Sequence, residues 1–206
     1  MEFWNETVTG KSWNMLVRLR KMDFRFVLIG GWAAYLWTKK NKSKDVDIVL
    51  EDVSVLDFLK NNFDMKKNAH LKKYEIKTGD IDVDVYVPYY SRLAIPPEDM
   101  KKHATVIDGI SVATVEALLL LKQGAETDRG LSQKGLKDRI DMMALLCFCD
   151  VNFKKYREML ESYGRPELMK RLRDIVSGFT EMKYLGLNPR ELKLKKMEIM
   201  EKLRAA

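Results

Sequence analysis

Apolar residues follow different periods in the two halves of the chain. Residues 6–21 set Trp13, Leu16, Val17 and Leu19 among lysines and arginines, which predicts an opening helix. FRFVLIG at 24–30 is short, aromatic and branched and ends on glycine, so it predicts a strand, and GWAAYLWTKK predicts a helix starting directly after that turn. DVDIVLEDV at 45–53 predicts a second strand, and VLDFLKNNF at 55–63 a helix with Val55, Leu56, Leu59 and Phe63 inward. From Leu71 the period falls to two. A strand, a Thr-Gly-Asp turn and a second strand follow, with Ile81, Val83, Val85 and Val87 on one face and Asp80, Asp82 and Asp84 on the other. This is the pattern of a hairpin.

The prolines of YSRLAIPPEDM push the residues before them out of helical geometry, so that segment reads as a connection. Beyond VIDGIS the helical period takes over, with helices expected at 114–129, 134–149, 152–163, 166–179 and 189–204, separated by glycine or Asn-Pro breaks. The chain shows no internal repeat. The expected fold class is α/β (α+β): a mixed sheet flanked by helices over residues 1–110, followed by a helical domain over 111–206. Trp32, Tyr35 and Trp37, at helical spacing beside a strand, read as core rather than as a stacking surface.

Two features call for more than packing. Asp is depleted in strands, yet Asp45-Val46-Asp47 places two carboxylates on one face of a strand, their backbones roughly 6.5–7 Å apart. Asp80, Asp82 and Asp84 repeat the arrangement nearby. Such clusters repel each other unless cations sit between them, and Mg²⁺ favours oxygen ligands combined with phosphate and water. The second feature is Gly30-Gly31, where a strand turns into a helix and unobstructed backbone N–H groups meet the positive end of the helix dipole. That suits an anion such as a triphosphate.

With these residues in order, GGWAAYLWTKKNKSKDVDIVL resembles the signature of the DNA polymerase β-type nucleotidyltransferase superfamily: an apolar strand, two small residues, a helix, then paired acids, with a third carboxylate on a later strand. The resemblance implies that Asp45 and Asp47 bind Mg²⁺ or Mn²⁺ and that Asp82 or Asp84 completes the metal and catalytic set. It also implies that Gly30 and Gly31 bind the phosphates of a nucleotide such as ATP. Lys122-Gln-Gly-Ala125-Glu-Thr-Asp-Arg129 and Lys137-Asp138-Arg-Ile-Asp141 resemble the K-x-x-A-x-x-x-R and K-D-x-x-D motifs of AbiEii-type nucleotidyltransferases, among them toxins of toxin–antitoxin systems. Lys122 and Arg129 share a helix face, and Lys137 and Asp141 form an i, i+4 pair. The resemblance implies that Lys122, Arg129 and Lys137 bind nucleotide and that Asp138 or Asp141 supports or activates the acceptor. The chain has Gly31 where those toxins have serine, and Ser43, two residues before Asp45, is a candidate phosphate donor. Tyr89, Tyr90, Ser91 and Arg92 follow the acidic strand, where an acceptor would approach.

The implied activity is transfer of a nucleoside monophosphate from an NTP to a hydroxyl of RNA, protein or a small molecule, releasing pyrophosphate. The alternative is a non-catalytic nucleotide- or partner-binding protein on the same scaffold, paired with a cognate toxin or antitoxin. Composition changes little: 46% hydrophobic and 33% charged residues describe an ordinary globular chain of 206 residues, large enough to bury a core unaided. The longest apolar run, Met142 to Cys149, is too short to span a membrane, and no leader pattern opens the chain, so a cytoplasmic location without membrane partners is expected. Cys147 and Cys149 sit two apart in a predicted helix, where their side chains diverge, and His70 and His103 are isolated, so neither a disulfide nor a zinc site is expected. Charge is informative in its placement: of the net +7, residues 151–206 carry 14 Lys/Arg against 8 Asp/Glu, which points to the basic C-terminal helices as a surface for an RNA acceptor.

Overall fold

The computed structural model describes residues 3–205. Helix α1 (Glu6–Arg20) opens on Asn5, whose side-chain oxygen accepts from the Thr7 N–H at 2.7 Å, and buries Thr9, Ser12, Met15, Leu16 and Leu19 along one face. Strand β1 (Phe26–Ile29) is buried at every position, and the chain passes from it straight into α2 (Gly30–Thr38). Gly30, with φ +68°, makes the turn from strand to helix, and the helix runs on directly from it as expected. Trp32 and Trp37 are structural, as expected: the Trp32 indole N–H donates to Ser12 Oγ at 2.7 Å, and that of Trp37 donates to the Ala113 carbonyl at 2.9 Å.

Next come β2 (Val46–Leu50), α3 (Val55–Asn62), β3 (Met65–Asn68), β4 (Lys73–Thr78), β5 (Ile81–Tyr86), β6 (Ala104–Ile107) and β7 (Ile110–Ala113). Together they form a mixed seven-stranded sheet in the order β3-β4-β5-β2-β1-β7-β6, with β1 parallel to β7, β2 parallel to β5, and the other pairs antiparallel. The β5 alternation is as expected, with Ile81, Val83 and Val85 buried and the acids opposite. Three strands are not evident from hydrophobic pattern. β3 is polar, MKKN, and exists because β4 offers it a backbone edge, where its lysines also protect the sheet against further pairing. β6 and β7 form a hairpin across Asp108-Gly109, both with positive φ (+50° and +72°), the geometry of a two-residue hairpin turn.

Helices α4 (Val115–Arg129), α5 (Gln133–Phe148), α6 (Phe153–Ser162), α7 (Leu168–Gly178) and α8 (Pro189–Ala205) complete the chain close to their expected bounds. The division at residue 110 falls at the first residue of β7, a strand paired with β1 inside the sheet, and one hydrophobic core runs continuously from Met15 to Leu203. Cys147 and Cys149 are free, and burial pushes both thiols up to about 11. Among the described residues no helix is long and apolar enough to cross a membrane.

Helix α4 fastens the helical half through polar side chains. Gln123 donates to the Leu168 carbonyl at 2.9 Å and accepts from the Tyr156 hydroxyl. Glu126, wholly buried, accepts from Arg139 at 2.9 Å and from two nitrogens of Arg171 at 2.5 and 3.0 Å, and so ties α4 to both α5 and α7. Removing one member of such a group leaves buried charge uncompensated. Glu126→Ala is expected to lower unfolding stability by about 3 kcal/mol, the low end of the range for a broken buried pair because Arg171 stays half-exposed. A drop in the urea midpoint at unchanged m-value, measured at neutral pH, checks this.

Candidate active site

Strand register assembles the acids. Ile29 on β1 faces Asp47 on β2, and Asp47 faces Asp84 on β5, so three neighbouring strands line up at one level. Adjacent strands are roughly 4.8 Å apart, which sets the Asp47 and Asp84 carboxylates side by side on one face. Asp45, just ahead of β2, is fixed through its Oδ1, which accepts the backbone N–H of Asp82 at 3.3 Å. Asp45, Asp47 and Asp84 line one cavity with Gly30, Gly31 and Ser43. The side chain of Asp82 is not part of that lining. Of the two candidate third acids, Asp84 is the one brought to Asp47, while Asp82 contributes its backbone to Asp45. Asp80 is further out still, paired with Lys11 on the surface at 2.6 Å.

The glycines are required by what lies next to them. Gly30 has φ +68°, and a Cβ there would come within 2.1 Å of Asp47 Oδ2. A Cβ on Gly31 would come within 2.6 Å of Ser43 Oγ. The buried Ser43 hydroxyl therefore lies where a side chain at position 31 would go, and a hydroxyl reaches this wall of the cavity from the loop before Asp45. No side chain caps the start of α2, so its first N–H groups face the cavity without an internal acceptor from a capping residue.

The opposite wall is cationic. The 3.6 residue period of α4 puts Lys122, Ala125 and Arg129 on the cavity while Gln123 and Glu126 face the other helices. Lys122 Nζ lies 3.0 Å from Asp138 Oδ1 and 2.8 Å from Asp141 Oδ2; Arg129 reaches Asp138 Oδ2 at 2.7 Å and Lys137 reaches Asp141 Oδ1 at 2.5 Å. Three cations thus share two carboxylates, both 1% exposed, and the network keeps a surplus positive charge facing the acids.

Burial, reinforced by the charge of Asp84 next to it, pushes the Asp47 carboxyl up to about 7, against the pull of Lys122 and Arg129. Asp84 is also raised by burial, with Lys73 working the other way through a 2.6 Å contact to its Oδ2. Burial opposes the charge on Lys122, but Asp141 and Asp138 hold its ammonium above the ordinary lysine range. Burial likewise opposes ionisation of Asp141, and Lys122 and Lys137 overcome it, keeping the carboxyl below the ordinary aspartate range. Asp141 is accordingly an anion clamped between two ammonium groups.

All of Gly30, Gly31, Ser43, Asp45, Asp47, Asp84, Lys122, Arg129, Lys137, Asp138 and Asp141 converge on this cavity, with Asp82 as the exception. Two more residues, Tyr86 and Trp4, line the cavity without a motif to announce them, and two others, Lys73 and Glu75, lie behind Asp84. Tyr86, two positions beyond Asp84 on the same face, has its hydroxyl pushed well above the usual range by burial and then by Asp47 and Asp84. Lys73 binds both Asp84 and, at 3.0 Å, Glu75. Trp4 stands at the cavity wall from the segment before α1. Counting back from the Gly79 turn reaches Glu75 opposite Asp84, and alternation reaches Tyr86, so two of the four were in principle legible; Trp4 was not.

Among the described residues no three His, Cys, Asp or Glu side chains come close enough together to hold an ion by themselves. The donor set nevertheless suits a hard divalent cation. Mg²⁺ is usually held by one or two carboxylates together with substrate phosphate and water, and the repulsion that raises Asp47 is what a cation between Asp45, Asp47 and Asp84 would relieve. Lys73 occupies Asp84 Oδ2 and leaves its Oδ1 for a ligand.

Because the folded protein favours protonated Asp47, its contribution to stability is fully present below about pH 4 and is lost as pH rises through about 7. Asp47→Asn, which removes the titration, is expected to gain on the wild type between pH 5 and pH 8 by about 2 kcal/mol, discounted for solvent access through the cavity. Paired urea melts across that range, without added metal, check the sign and size. No family model and no curated protein matches the chain. Among solved structures, JHP933 from Helicobacter pylori is similar over 98% of this chain and 95% of its own, at 16% identity and a TM-score of 0.52. An antigenic nucleotidyltransferase-like protein from Paracoccidioides brasiliensis is similar over 81% of this chain and 92% of its own, at 15% identity and a TM-score of 0.43. At such identity the likeness to the first of these is one of fold, and it takes in the sheet and the helical half together.

Proposed function

We propose that the chain is a divalent-metal-dependent nucleotidyltransferase that moves a nucleoside monophosphate from an NTP to a hydroxyl and releases pyrophosphate. The observation that carries this reading is the level Ile29–Asp47–Asp84 across three strands, with Gly30 against Asp47 and the Lys122–Arg129 wall opposite. Carboxylates for metal, bare N–H groups for phosphate and cations for the departing charge meet within one cavity of about 130 Å³. That is less than the roughly 300–1,000 Å³ of sites that engulf a whole ligand, so it suits the triphosphate end, with the nucleoside at the mouth beside Trp4.

Each residue then has a defined task. The N–H groups of Gly30 and Gly31 and the Ser43 hydroxyl donate to phosphate oxygens, and Lys122 and Arg129 neutralise the pyrophosphate as it leaves. Asp45, Asp47 and Asp84 would hold Mg²⁺ or Mn²⁺, which supplies charge neutralisation on the phosphate and acidifies the acceptor hydroxyl. The acceptor oxygen forms a bond to the α-phosphorus, the bond from that phosphorus to the bridging oxygen breaks to release pyrophosphate, and the hydroxyl proton passes to solvent. Lys73 keeps Asp84 in place through its Oδ2. Asp138 and Asp141 set the position of Lys122, and the K-x-x-A-x-x-x-R and K-D-x-x-D motifs that meet at that lysine support the AbiEii-type assignment and a place in a toxin–antitoxin pair.

The grip of Lys73 on Asp84 favours a second reading, a non-catalytic nucleotide- or partner-binding protein on the same scaffold. Incubation with each radiolabelled NTP, Mg²⁺, total RNA and cell lysate separates the two. We expect labelled acceptor with the wild type and a loss of at least a thousandfold with Asp45→Asn/Asp47→Asn. Labelling that survives the double substitution rules out this mechanism, and calorimetric NTP binding without any labelling selects the second reading.

A further inference from the structure

A second cavity, formed by the turn after β5 and the start of the next connection, shares Leu93 with the active-site cavity. Its side chains are aromatic and basic. Tyr89 is 86% exposed and has φ +60°, a backbone conformation that side chains of its size seldom adopt. The turn is nevertheless firmly built: Val87 N–H donates to the Ser91 hydroxyl at 2.9 Å, Ser91 N–H donates to the Val87 carbonyl at 3.0 Å, and Tyr89 N–H donates to Glu98 at 3.2 Å. Structure is thus spent on holding a ring in solvent, where it adds nothing to the core. Beside it Tyr90 packs against Tyr74, with the Lys67 ammonium 4.5 Å and the Lys72 ammonium 5.7 Å from its ring centroid. Arg92 and Arg165 are exposed and form no ion pair among the described residues. Three cations, Lys72, Arg92 and Arg165, thus line this cavity with a single carboxylate, Glu98, and two tyrosines, and Lys67 adds a fourth over the Tyr90 ring.

The C-terminal basic residues are engaged differently. Arg171 is held by Glu126, Arg173 by the Leu203 carbonyl, Lys196 by the Ser177 and Phe179 carbonyls, and Lys202 by Glu198. Several basic residues of 151–206 therefore serve helix packing and capping, whereas Arg165 of the same segment joins Arg92 in the aromatic and basic surface around Tyr89 that adjoins the active-site cavity.

We infer that this groove binds single-stranded nucleic acid and delivers the strand end, past Leu93, to the active-site cavity as the acceptor. The inference rests on the proposed nucleotidyl transfer and names its acceptor. Stacking on exposed rings and backbone contact with unpaired cations are together the means by which single strands are held without regard to sequence, and the shared residue at the junction supplies the path.

Fluorescence anisotropy of labelled oligoribonucleotides and matching oligodeoxyribonucleotides of about twelve nucleotides, within the span of known single-strand sites, tests the groove and separates RNA from DNA. Tyr89→Ala is expected to weaken binding roughly tenfold, and its exposure makes misfolding an improbable cause. Arg92→Ala/Arg165→Ala is expected to lower the log–log salt slope by about 1.4, the share of two phosphate contacts on a single strand. Neither should change calorimetric NTP affinity. Wild-type-like oligonucleotide binding by both variants, or loss of binding only in Lys193→Ala/Lys195→Ala on α8, overturns the groove. Labelling of RNA that the groove variants leave untouched also overturns it while leaving the transfer reaction standing. Groove-dependent binding with no labelling removes the reaction and keeps the groove.

Discussion

Asp47 and Asp84 stand side by side because two parallel strands leave them no alternative, and the rest of the site answers the repulsion that results. Burial raises both carboxyls, and each neighbour responds to the excess of negative charge: Lys73 from the hairpin, Lys122 and Arg129 from α4. Opposite charge held a short distance away, rather than in direct contact with Asp47, leaves a cleft between two walls of opposite sign. A bound triphosphate with its cations would satisfy both walls at once.

Helix α4 shows how one sequence stretch carries two duties. Lys122, Ala125 and Arg129 recur on one side, Gln123 and Glu126 on the next, so that the helix supplies the cationic wall of the cleft and at the same time fastens α5, α6 and α7. The small Ala125 keeps the wall open between the two long cations. Coupling of this kind links the helical half to the sheet beyond their shared core: the Lys122 ammonium is shared by two acids of α5, and its charge is felt by Asp47 of β2. Asp138 and Asp141 are best understood in this setting, as the groups that fix the Lys122 position.

Much of this was legible in the chain. Period two exposed the β5 acids, helical periodicity located α4 to α8 within a few residues, and the order of Gly30-Gly31, Asp45, Asp47 and the acidic strand marked the acidic half of the cavity. The Asp108-Gly109 hairpin was present as a turn dipeptide between branched residues and passed unnoticed, because four-residue strands are too short for periodicity to register. Its omission placed a domain boundary inside a sheet strand. β3 carried no apolar signal at all, since an edge strand is held by backbone pairing rather than by side-chain burial.

The sequence by itself determined which residues could do chemistry and on which face of its own element each would lie, because those are local consequences of strand and helix periods. Only the tertiary structure decided which elements meet. It selected Asp84 over Asp82, since register between β2 and β5 depends on how two distant segments align and a shift of two residues preserves every local pattern. It also set Asp141 between Lys122 and Lys137, brought Trp4 to the cavity from the start of the chain, and placed Arg165 of the C-terminal half beside Arg92 and the Tyr89 turn. Charge pairing across long separations has no period to betray it, and it was here that the fold supplied what the chain alone could not.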